Sequence, residues 1–134
     1  MSDASPRVGV LAASPSELPI MRQAGLILEK FGVAHEVRIM SSSRNPDLVD
    51  EYARTAFERG LKVMICSTGL SGHLAAAVAA RTVLPVIGVP IATVGVDASV
   101  NAAILAAQII GITDEEVQSA LWKFKDDLAE GLKL

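Results

Sequence analysis

The sequence has one cysteine, few aromatic residues and no long uninterrupted apolar run. Cys66 has no internal disulfide partner, and because it lies in the apolar run Lys62–Cys66 we expect a buried structural thiol and a reducing, cytoplasmic environment. Aromatic residues make up 4% of the chain, which argues against a platform for stacking nucleic-acid bases. No apolar stretch reaches the ~18–20 residues that span a bilayer, so we expect no membrane segment.

The chain also has no concentration of positive charge. Its formal net charge is −3 with acids and bases interspersed, whereas nucleic-acid binding requires a clustered basic face. Met1–Arg7 is small and polar, which predicts no signal peptide. There is no GxGxxG, no P-loop and no cluster of residues at metal-ligand spacing. The 134 residues, of which 51% are hydrophobic, suffice for one core but not two, so we expect a single domain over residues 1–134.

Short apolar runs alternate with longer segments of helical periodicity. Continuous apolar runs of this length are typical of parallel strands covered on both faces. The predicted strands are Val8–Ala12, Glu36–Met40, Leu61–Ser67 and the region Pro85–Val96. Pro90 interrupts the last region, which can form one kinked strand or two short ones.

Helix-start signals follow the strands. Ser14–Glu17 reads as a capping box with Pro15 at the first helical position, and Thr113–Glu116 reads as a second capping box. Further helices are predicted from Pro46 to Gly60 and over Leu74–Arg81 and Val100–Ile110. The first of these has Val49, Tyr52, Ala53 and Ala56 on one face. The last helix has an apolar stripe formed by Val117, Leu121, Phe124, Leu128 and Leu132.

This alternation predicts a three-layer α/β sandwich, in which helices flank a parallel sheet of flavodoxin-like or Rossmann-like strand order and an amphipathic helix follows at the C-terminus. Ligands of such sheets bind beyond the carboxyl ends of the strands. The loops there are Ala13–Glu17, Ser41–Asn45 and Ser67–His73, each with hydroxyl groups at a helix start. Backbone N–H groups at helix starts bind anions, and Arg44 adds a forked positive charge, so the pattern predicts a phosphate-bearing small ligand.

Each of these features has a purely structural alternative. Ser14 and Glu17 can serve only as a helix cap, and Arg44 can be a solvated surface charge. Gly69 and Gly72 can be turn glycines, and His73 can be structural or exposed. A Ser–His–Asp triad is disfavoured because the sequence contains no GxSxG elbow.

Five segments of the chain carry a more specific signal. VGVLAASPSELPIM, HEVRIMSSSRNPD, RGLKVMICSTGLSGHLAAAVAA, PVIGVP and ATVGVDASVNAAILAAQIIG occur in this order, at Val8–Met21, His35–Asp47, Arg59–Ala80, Pro85–Pro90 and Ala92–Gly111. Together they resemble the aminoimidazole ribonucleotide carboxylase/mutase (PurE-like) family of purine biosynthesis, from Val8 to about Leu128.

The resemblance implies a flavodoxin-like domain that assembles as an octamer. It also implies an enzyme that moves a carboxyl group between the exocyclic amine and the ring carbon of aminoimidazole ribonucleotide, or adds CO₂ to that carbon, without a metal or organic cofactor. We expect the alanine-rich helices Leu74–Ala80 and Val100–Ile110 to be buried, partly between subunits, because they are apolar nearly all round.

The same resemblance assigns expected roles to individual positions. The positions that match ribose and phosphate contacts are Ser14, Ser16 and Glu17. The positions that match further phosphate contacts are Ser41 and Arg44. The positions that match the loop around the imidazole and carboxylate are Gly69, Ser71, His73 and Leu74.

The chain departs from the family at the position of its catalytic histidine, which is Ser43 here. That histidine carries the proton to and from the ring carbon, a task for a group that titrates near neutrality. A serine hydroxyl cannot do this without activation, so we expect His73 to take the role. Pro15 and Glu17 replace two aspartates of the family.

A second departure is a deletion. The family carries a helical segment that forms an active-site wall between strands four and five, but here only Ile91 separates Pro90 from Ala92. We expect a more open pocket. The alternatives to a purine-pathway carboxylase or mutase are a nucleotide-binding module that has lost catalysis, or a diverged carboxylase of another phosphorylated heterocycle.

Overall fold

The computed structural model describes residues 5–69, 73–90 and 99–133. The strands are β1 Val8–Ala12, β2 His35–Ile39, β3 Val63–Ser67 and β4 Val86–Val89. The helices are α1 Leu18–Lys30, α2 Pro46–Ala56, α3 His73–Ala79, α4 Ser99–Gly111 and α5 Glu115–Ala129, and a 3₁₀ turn Pro15–Glu17 precedes α1.

The described strands form one parallel sheet in the order β2-β1-β3-β4. Val8 of β1 is paired with His35 of β2 on one side and with Val63 of β3 on the other. β1 and β3 are buried at every residue, as expected for central strands covered by helices on both faces. The chain leaves β1 first toward β2 and then returns to β3, so the strand order reverses beside β1.

The helices cover the two faces of the sheet in separate layers. Val10, Ile65 and their neighbours on one face pack against α1, α4 and α5, and Leu11, Met64 and Cys66 on the other face pack against α2 and α3. Because side chains alternate along a strand, each of the central strands β1 and β3 contributes to both cores. The predicted three-layer α/β fold class is therefore confirmed.

The last helix packs on its own chain. Val117, Leu121 and Phe124 of α5 are buried, and the Phe124 ring meets the Phe31 ring edge-on at a centroid distance of 5.2 Å. The predicted stripe ends there, because Leu128 is 36% exposed and Leu132 lies beyond the helix. The stripe prediction was therefore right for its first three residues.

Both predicted capping boxes need correction. Ser14 precedes a 3₁₀ turn in which the Glu17 N–H donates to the Ser14 carbonyl, so the Ser14 hydroxyl caps no backbone N–H. In the second box the cap is Asp114 rather than Thr113. Its carboxylate accepts hydrogen bonds from the N–H groups of Glu116 and Val117, at 3.0 and 3.1 Å.

The remaining differences in element boundaries are small. β2 begins and ends one residue before the predicted Glu36–Met40, and β3 lacks the first two residues predicted for it. β4 occupies Val86–Val89 of the predicted region Pro85–Val96, and residues 91–98 lie outside the described part of the chain.

Cys66 is buried as predicted. Its side chain is fully shielded within β3, and burial raises the pKa of the thiol to about 12. Across the described residues, no helix has the length and apolarity needed to cross a bilayer.

Candidate active site

The first loop at the carboxyl edge of the sheet gathers three polar side chains. The Ser14 hydroxyl lies 2.8 Å from the Ser16 hydroxyl and donates to Glu17 Oε2 at 3.1 Å. Ser16 is exposed, whereas Ser14 and Glu17 are half-buried. The second carboxylate oxygen of Glu17 is shielded and accepts no hydrogen bond from the described residues. This arrangement can exchange hydrogen bonds with the hydroxyl groups of a sugar.

The second loop is organised by one side chain. Ser41 Oγ accepts hydrogen bonds from the N–H groups of Ser43 and Arg44, at 3.3 and 3.2 Å, and lies 3.1 Å from the Ser43 hydroxyl. The Asn45 N–H donates to the Ser41 carbonyl at 2.8 Å, which completes the turn. Ser41 is therefore engaged with its own loop, while the Ser43 and Arg44 side chains are exposed.

Arg44 is the cation that this edge offers to an anion. Within the described ranges its guanidinium has no carboxylate at ion-pair distance. Such a carboxylate partner is present for Arg7, Arg38, Arg54, Arg59 and Arg81. An unpaired, exposed guanidinium at a helix start is well suited to a phosphate.

The third loop leaves β3 through a glycine turn. Gly69 has φ +54°, a conformation that L side chains rarely adopt. His73 is exposed at the first residue of α3, whereas Leu74 is 2% exposed and packs in the core beneath α2 and α3. Leu74 therefore offers a ligand its backbone rather than its side chain. Ser71 lies outside the described residues.

His73 and Ser43 are not joined by a hydrogen bond between described atoms. The hydroxyl of Ser43 is instead hydrogen-bonded to that of Ser41. His73 follows β3 and Ser43 follows β2, so the two residues lie at the same edge of the parallel sheet with the end of β1 between them. The structure thus brings those predicted residues that it describes to one edge, and among them Ser43 has no hydrogen bond to an imidazole.

A residue that the sequence analysis did not single out connects two of these loops. Ser67 is fully buried at the end of β3, and its Oγ accepts a hydrogen bond from the Ala13 N–H at 2.7 Å. The carbonyl of the same peptide unit, that of Ala12, accepts from the Met40 N–H at 3.0 Å. One peptide group at the end of β1 is therefore held from both neighbouring strands. The sequence signal was only a serine at the end of a buried strand.

A cavity of about 460 Å³ lies beside the second loop, between α2 and α3. Ser42, Pro46 and Asp50 line one side of it and Ala77 and Arg81 the other. Asp50 is paired with Arg81 at 3.0 Å and with Arg54 at 2.8 Å. None of the hydroxyl groups of Ser14, Ser16, Ser41 or Ser43 contributes to its wall. We therefore place the candidate site at the sheet edge and not in this cavity.

Comparison with known families gives a match along most of the chain. The family model described as AIR carboxylase matches residues 7–93 and 88–131. An N5-carboxyaminoimidazole ribonucleotide mutase of Pyrococcus abyssi is 39% identical, over 92% of this chain and 84% of that protein. The mutase of Thermotoga maritima is 40% identical over 90% of this chain and 84% of that protein. The crystal structure of Treponema denticola PurE superimposes with a TM-score of 0.82 at 21% identity and covers 93% of this chain and 92% of that one, which supports the fold.

The match is interrupted at one place. Residues 88–93 belong to both matched segments, so the family model matches the chain in two pieces that overlap there. The alignment with the Pyrococcus abyssi protein extends over 146 positions, more than the 134 residues of this chain. The relative therefore carries residues without a counterpart here. The overlap contains the Pro90–Ala92 junction, where the sequence analysis places the missing segment.

Proposed function

Because the chain belongs to the AIR carboxylase family, we propose that it binds aminoimidazole ribonucleotide or a carboxylated form of it and moves or adds a carboxyl group. The observation that carries the proposal is the meeting of three hydroxyl-bearing loops and Arg44 at the carboxyl edge of the sheet, beside the reversal of strand order. The relatives that match over most of the chain are enzymes of this reaction class.

Recognition of the ribose phosphate is assigned to the first two loops. Ser14, Ser16 and Glu17 exchange hydrogen bonds with the ribose and phosphate, and Arg44 pairs with the phosphate. Ser41 supports the phosphate site mainly by shaping the turn that presents Arg44. α1, α2 and α3 all begin at this edge, so their positive ends face the anion.

The imidazole ring and its carboxylate are assigned to the third loop, with Gly69, Ser71, the backbone of Leu74 and His73. In the transfer the bond between the exocyclic nitrogen and the carboxyl carbon breaks, or CO₂ enters directly, and the carboxyl carbon bonds to the ring carbon. The proton of the ring carbon leaves to a base and, in the transfer, replaces the carboxyl group on the nitrogen; the reverse step returns it. His73 is the base in this proposal, because a serine hydroxyl such as that of Ser43 does not titrate near neutrality. Removal of a general acid–base group typically reduces the rate ~10²–10⁴-fold, so we expect slow turnover with Ser43 in place of histidine.

A second candidate function is a nucleotide-binding module without turnover. It is favoured by the hydrogen bond between Ser43 and Ser41, which occupies the Ser43 hydroxyl within its own loop. The interruption of the family match at residues 88–93 supports it as well, because the family resemblance implies that the segment missing there forms a wall of the site. Both candidates require binding of the ribonucleotide, and they differ only in turnover.

Binding is tested by calorimetry with aminoimidazole ribonucleotide, its carboxylated forms and AMP. We expect saturable binding of the imidazole ribonucleotides and weaker binding of AMP. No binding of any of them at millimolar concentration would refute both candidates. Preference for AMP would point to a different phosphorylated heterocycle as the substrate.

Turnover is followed by the absorbance of the carboxylated ribonucleotide. We expect a slow enzyme-dependent change that His73→Gln abolishes and Ser43→His increases. His35→Gln is the matched control, because His35 begins β2 at the opposite edge and its Nδ1 lies 3.1 Å from the Val33 carbonyl. Binding without any turnover would select the binding module.

The family resemblance also leads us to propose a cytoplasmic homo-oligomer, with an octamer as the expected assembly, that binds neither nucleic acid nor membranes. The mixed surface charge and the formal net charge of −3 support the last point.

A further inference from the structure

Ser67 is the buried end of a rigid strand. It is fully shielded from solvent, and β3 lies between β1 and β4, with Ser67 in register with Val89. The next residue, Thr68, donates its N–H to the Val89 carbonyl at 3.1 Å. A Cβ at Gly88 would lie 3.3 Å from the Ala75 side chain and 3.4 Å from that of Thr68, so the strand end, β4 and α3 are closely packed. The position of the Ser67 hydroxyl is therefore fixed by its surroundings.

The first loop has much less support of its own. Beyond Ala13, its Ser14 and Glu17 are half-buried and Ser16 is exposed. The pairing of β1 with β3 stops at Leu11 and Cys66, one residue before β1 ends. Beyond this point a side chain links the two segments: the Ala13 N–H, just after β1, donates to the Ser67 hydroxyl oxygen at the end of β3, at 2.7 Å. Because the Ala13 N–H donates to an acceptor that is held more firmly than the loop, the hydrogen bond orients the loop rather than Ser67.

We infer that Ser67 is a positioning residue: its buried hydroxyl orients the Ala12–Ala13 peptide, and through it the Ser14–Glu17 loop, for binding of the ribose phosphate. The inference rests on the proposed function, since it names what the first loop binds. The Ala12 carbonyl, on the opposite side of the peptide, accepts from the Met40 N–H. Loss of the Ser67 hydroxyl therefore frees the Ala13 N–H but leaves the bond to the Ala12 carbonyl in place. Ser67 itself is shielded and acts on the ligand only through the loop.

The test compares the ribonucleotide with its nucleoside, which lacks the phosphate. In the wild-type chain the ribonucleotide should bind more tightly than the nucleoside. In Ser67→Ala this ratio of affinities should fall about tenfold, because the misoriented loop loses contacts to the ribose phosphate while contacts to the imidazole remain. Ser67→Thr keeps the hydroxyl and should restore most of the ratio.

Thr82→Ala is the matched control. Thr82 Oγ1 accepts a hydrogen bond from the Leu84 N–H at 3.2 Å, a bond of the same type that precedes β4 at the opposite edge. Both alanine variants should lower the melting temperature, and all binding is measured where circular dichroism shows a folded protein. Only Ser67→Ala should change the ratio of affinities, since a general loss of stability affects both ligands alike.

The outcomes separate the inference from the proposed function. Wild-type binding with an unchanged ratio in folded Ser67→Ala overturns the inference and leaves the proposed function standing. No binding by the wild type overturns both. If Ser67→Ala does not fold, amide exchange of the wild type decides: the Ala13 N–H should exchange at least ~10-fold more slowly than in an unstructured peptide, and it should slow further with ribonucleotide bound. Exchange at the unstructured rate, or no change with ribonucleotide, would overturn the inference.

Discussion

Arg44 is the only charged residue in the polar turn between β2 and α2. Its guanidinium is exposed and, among the described residues, has no acidic partner, so neutralising it breaks no ion pair. We expect Arg44→Ala to weaken ribonucleotide binding by roughly 1.5–3 kcal/mol, the range of a hydrogen bond to a charged group. Lys62→Ala removes the same charge at the opposite edge of the sheet and should leave affinity unchanged. Calorimetry of both variants checks this, and an affinity of Arg44→Ala equal to that of the wild type would remove Arg44 from the site.

A second residue-scale feature lies on the α2 face of the sheet. The Tyr52 hydroxyl donates to Glu36 Oε2, which also accepts from Arg59 at 3.0 Å, and the Arg59 guanidinium lies 4.8 Å from the centre of the Tyr52 ring. Burial alone raises the pKa of Glu36, but the hydrogen bonds from Arg59 and Tyr52 and the charges of Arg59 and Arg38 outweigh it and hold that pKa below its ordinary value. Burial and the bond to Glu36 raise the pKa of Tyr52.

This cluster explains a glycine in the central strand. A Cβ at Gly9 would lie 2.5 Å from the Tyr52 hydroxyl oxygen but 3.4 Å from the ring carbons, and Gly9 does not have a positive φ. We expect Gly9→Ala to destabilise the wild type by about 1–3 kcal/mol through overpacking, and by clearly less in a Tyr52→Phe background. Urea unfolding of the four variants of this cycle measures the coupling. An equal effect of Gly9→Ala in both backgrounds would contradict the steric explanation.

At the scale of elements, α5 depends on its cap. The Asp114 carboxylate accepts hydrogen bonds from two backbone N–H groups of the first turn and pairs with Arg7 at 2.8 Å. The bond from Val117 and then that from Arg7 lower the pKa of Asp114. Since the folded-state pKa lies below the unfolded one, the stabilisation is present above the ordinary value of about 3.9 and is lost as the pH falls through the folded-state pKa.

We therefore expect Asp114→Ala to lower the melting temperature near neutral pH and to differ less from the wild type in acid, where the stabilisation by the charged cap decreases. Asp114→Asn should retain much of the cap, because an amide oxygen also accepts from backbone N–H groups. Asp126→Ala, an exposed aspartate further along α5, is the control and should have little effect. Calorimetric melts at about pH 7 and about pH 3 make the comparison, and a difference that grows in acid would contradict it.

The elements also show what periodicity can predict. Val49, Tyr52, Ala53 and Ala56 were predicted as the buried face of α2 and are all buried, because helical spacing alone determines which residues share a face. The cap of α5 was misplaced by one residue, since Thr113 and Asp114 are both capping types. Which of the two residues caps α5 depends on where the preceding turn ends. The Thr113 N–H donates to the Ile110 carbonyl, so Thr113 still belongs to that turn and Asp114 is the cap.

At the scale of the whole molecule, the order of strands and helices predicted both the three-layer fold and the edge where the loops meet. The Ser67–Ala13 bond was beyond prediction, because it joins residues 54 positions apart and depends on the register of two strands. The engagement of Ser41 with its own turn was also missed, since a serine in a polar turn can face either a ligand or the backbone.

Assembly is the remaining property of the whole molecule. Several large apolar side chains are exposed on the single chain, among them Val83 at 86%, Ile112 at 76% and Trp122 at 68%. We expect light scattering to give a mass several times the 14.0 kDa of one chain, and a mass of one chain at micromolar concentration would contradict this. Trp122 is the only tryptophan, so its fluorescence reports whether the outer face of α5 is covered in the assembly. Trp122 emission typical of a fully solvated indole would show that the interface between subunits does not cover this face of α5.

The burial of Cys66 has a practical consequence for labelling the loops of the candidate site. The chain has no other cysteine, and at neutral pH this thiol is protonated and shielded, so thiol reagents should not modify the native protein. A cysteine introduced at exposed Ser16 would then be the only reactive thiol, and a fluorophore attached there would follow the first loop directly. Slow modification of Cys66 itself would measure how often β3 becomes accessible, which makes the native residue a built-in probe of opening at the centre of the sheet.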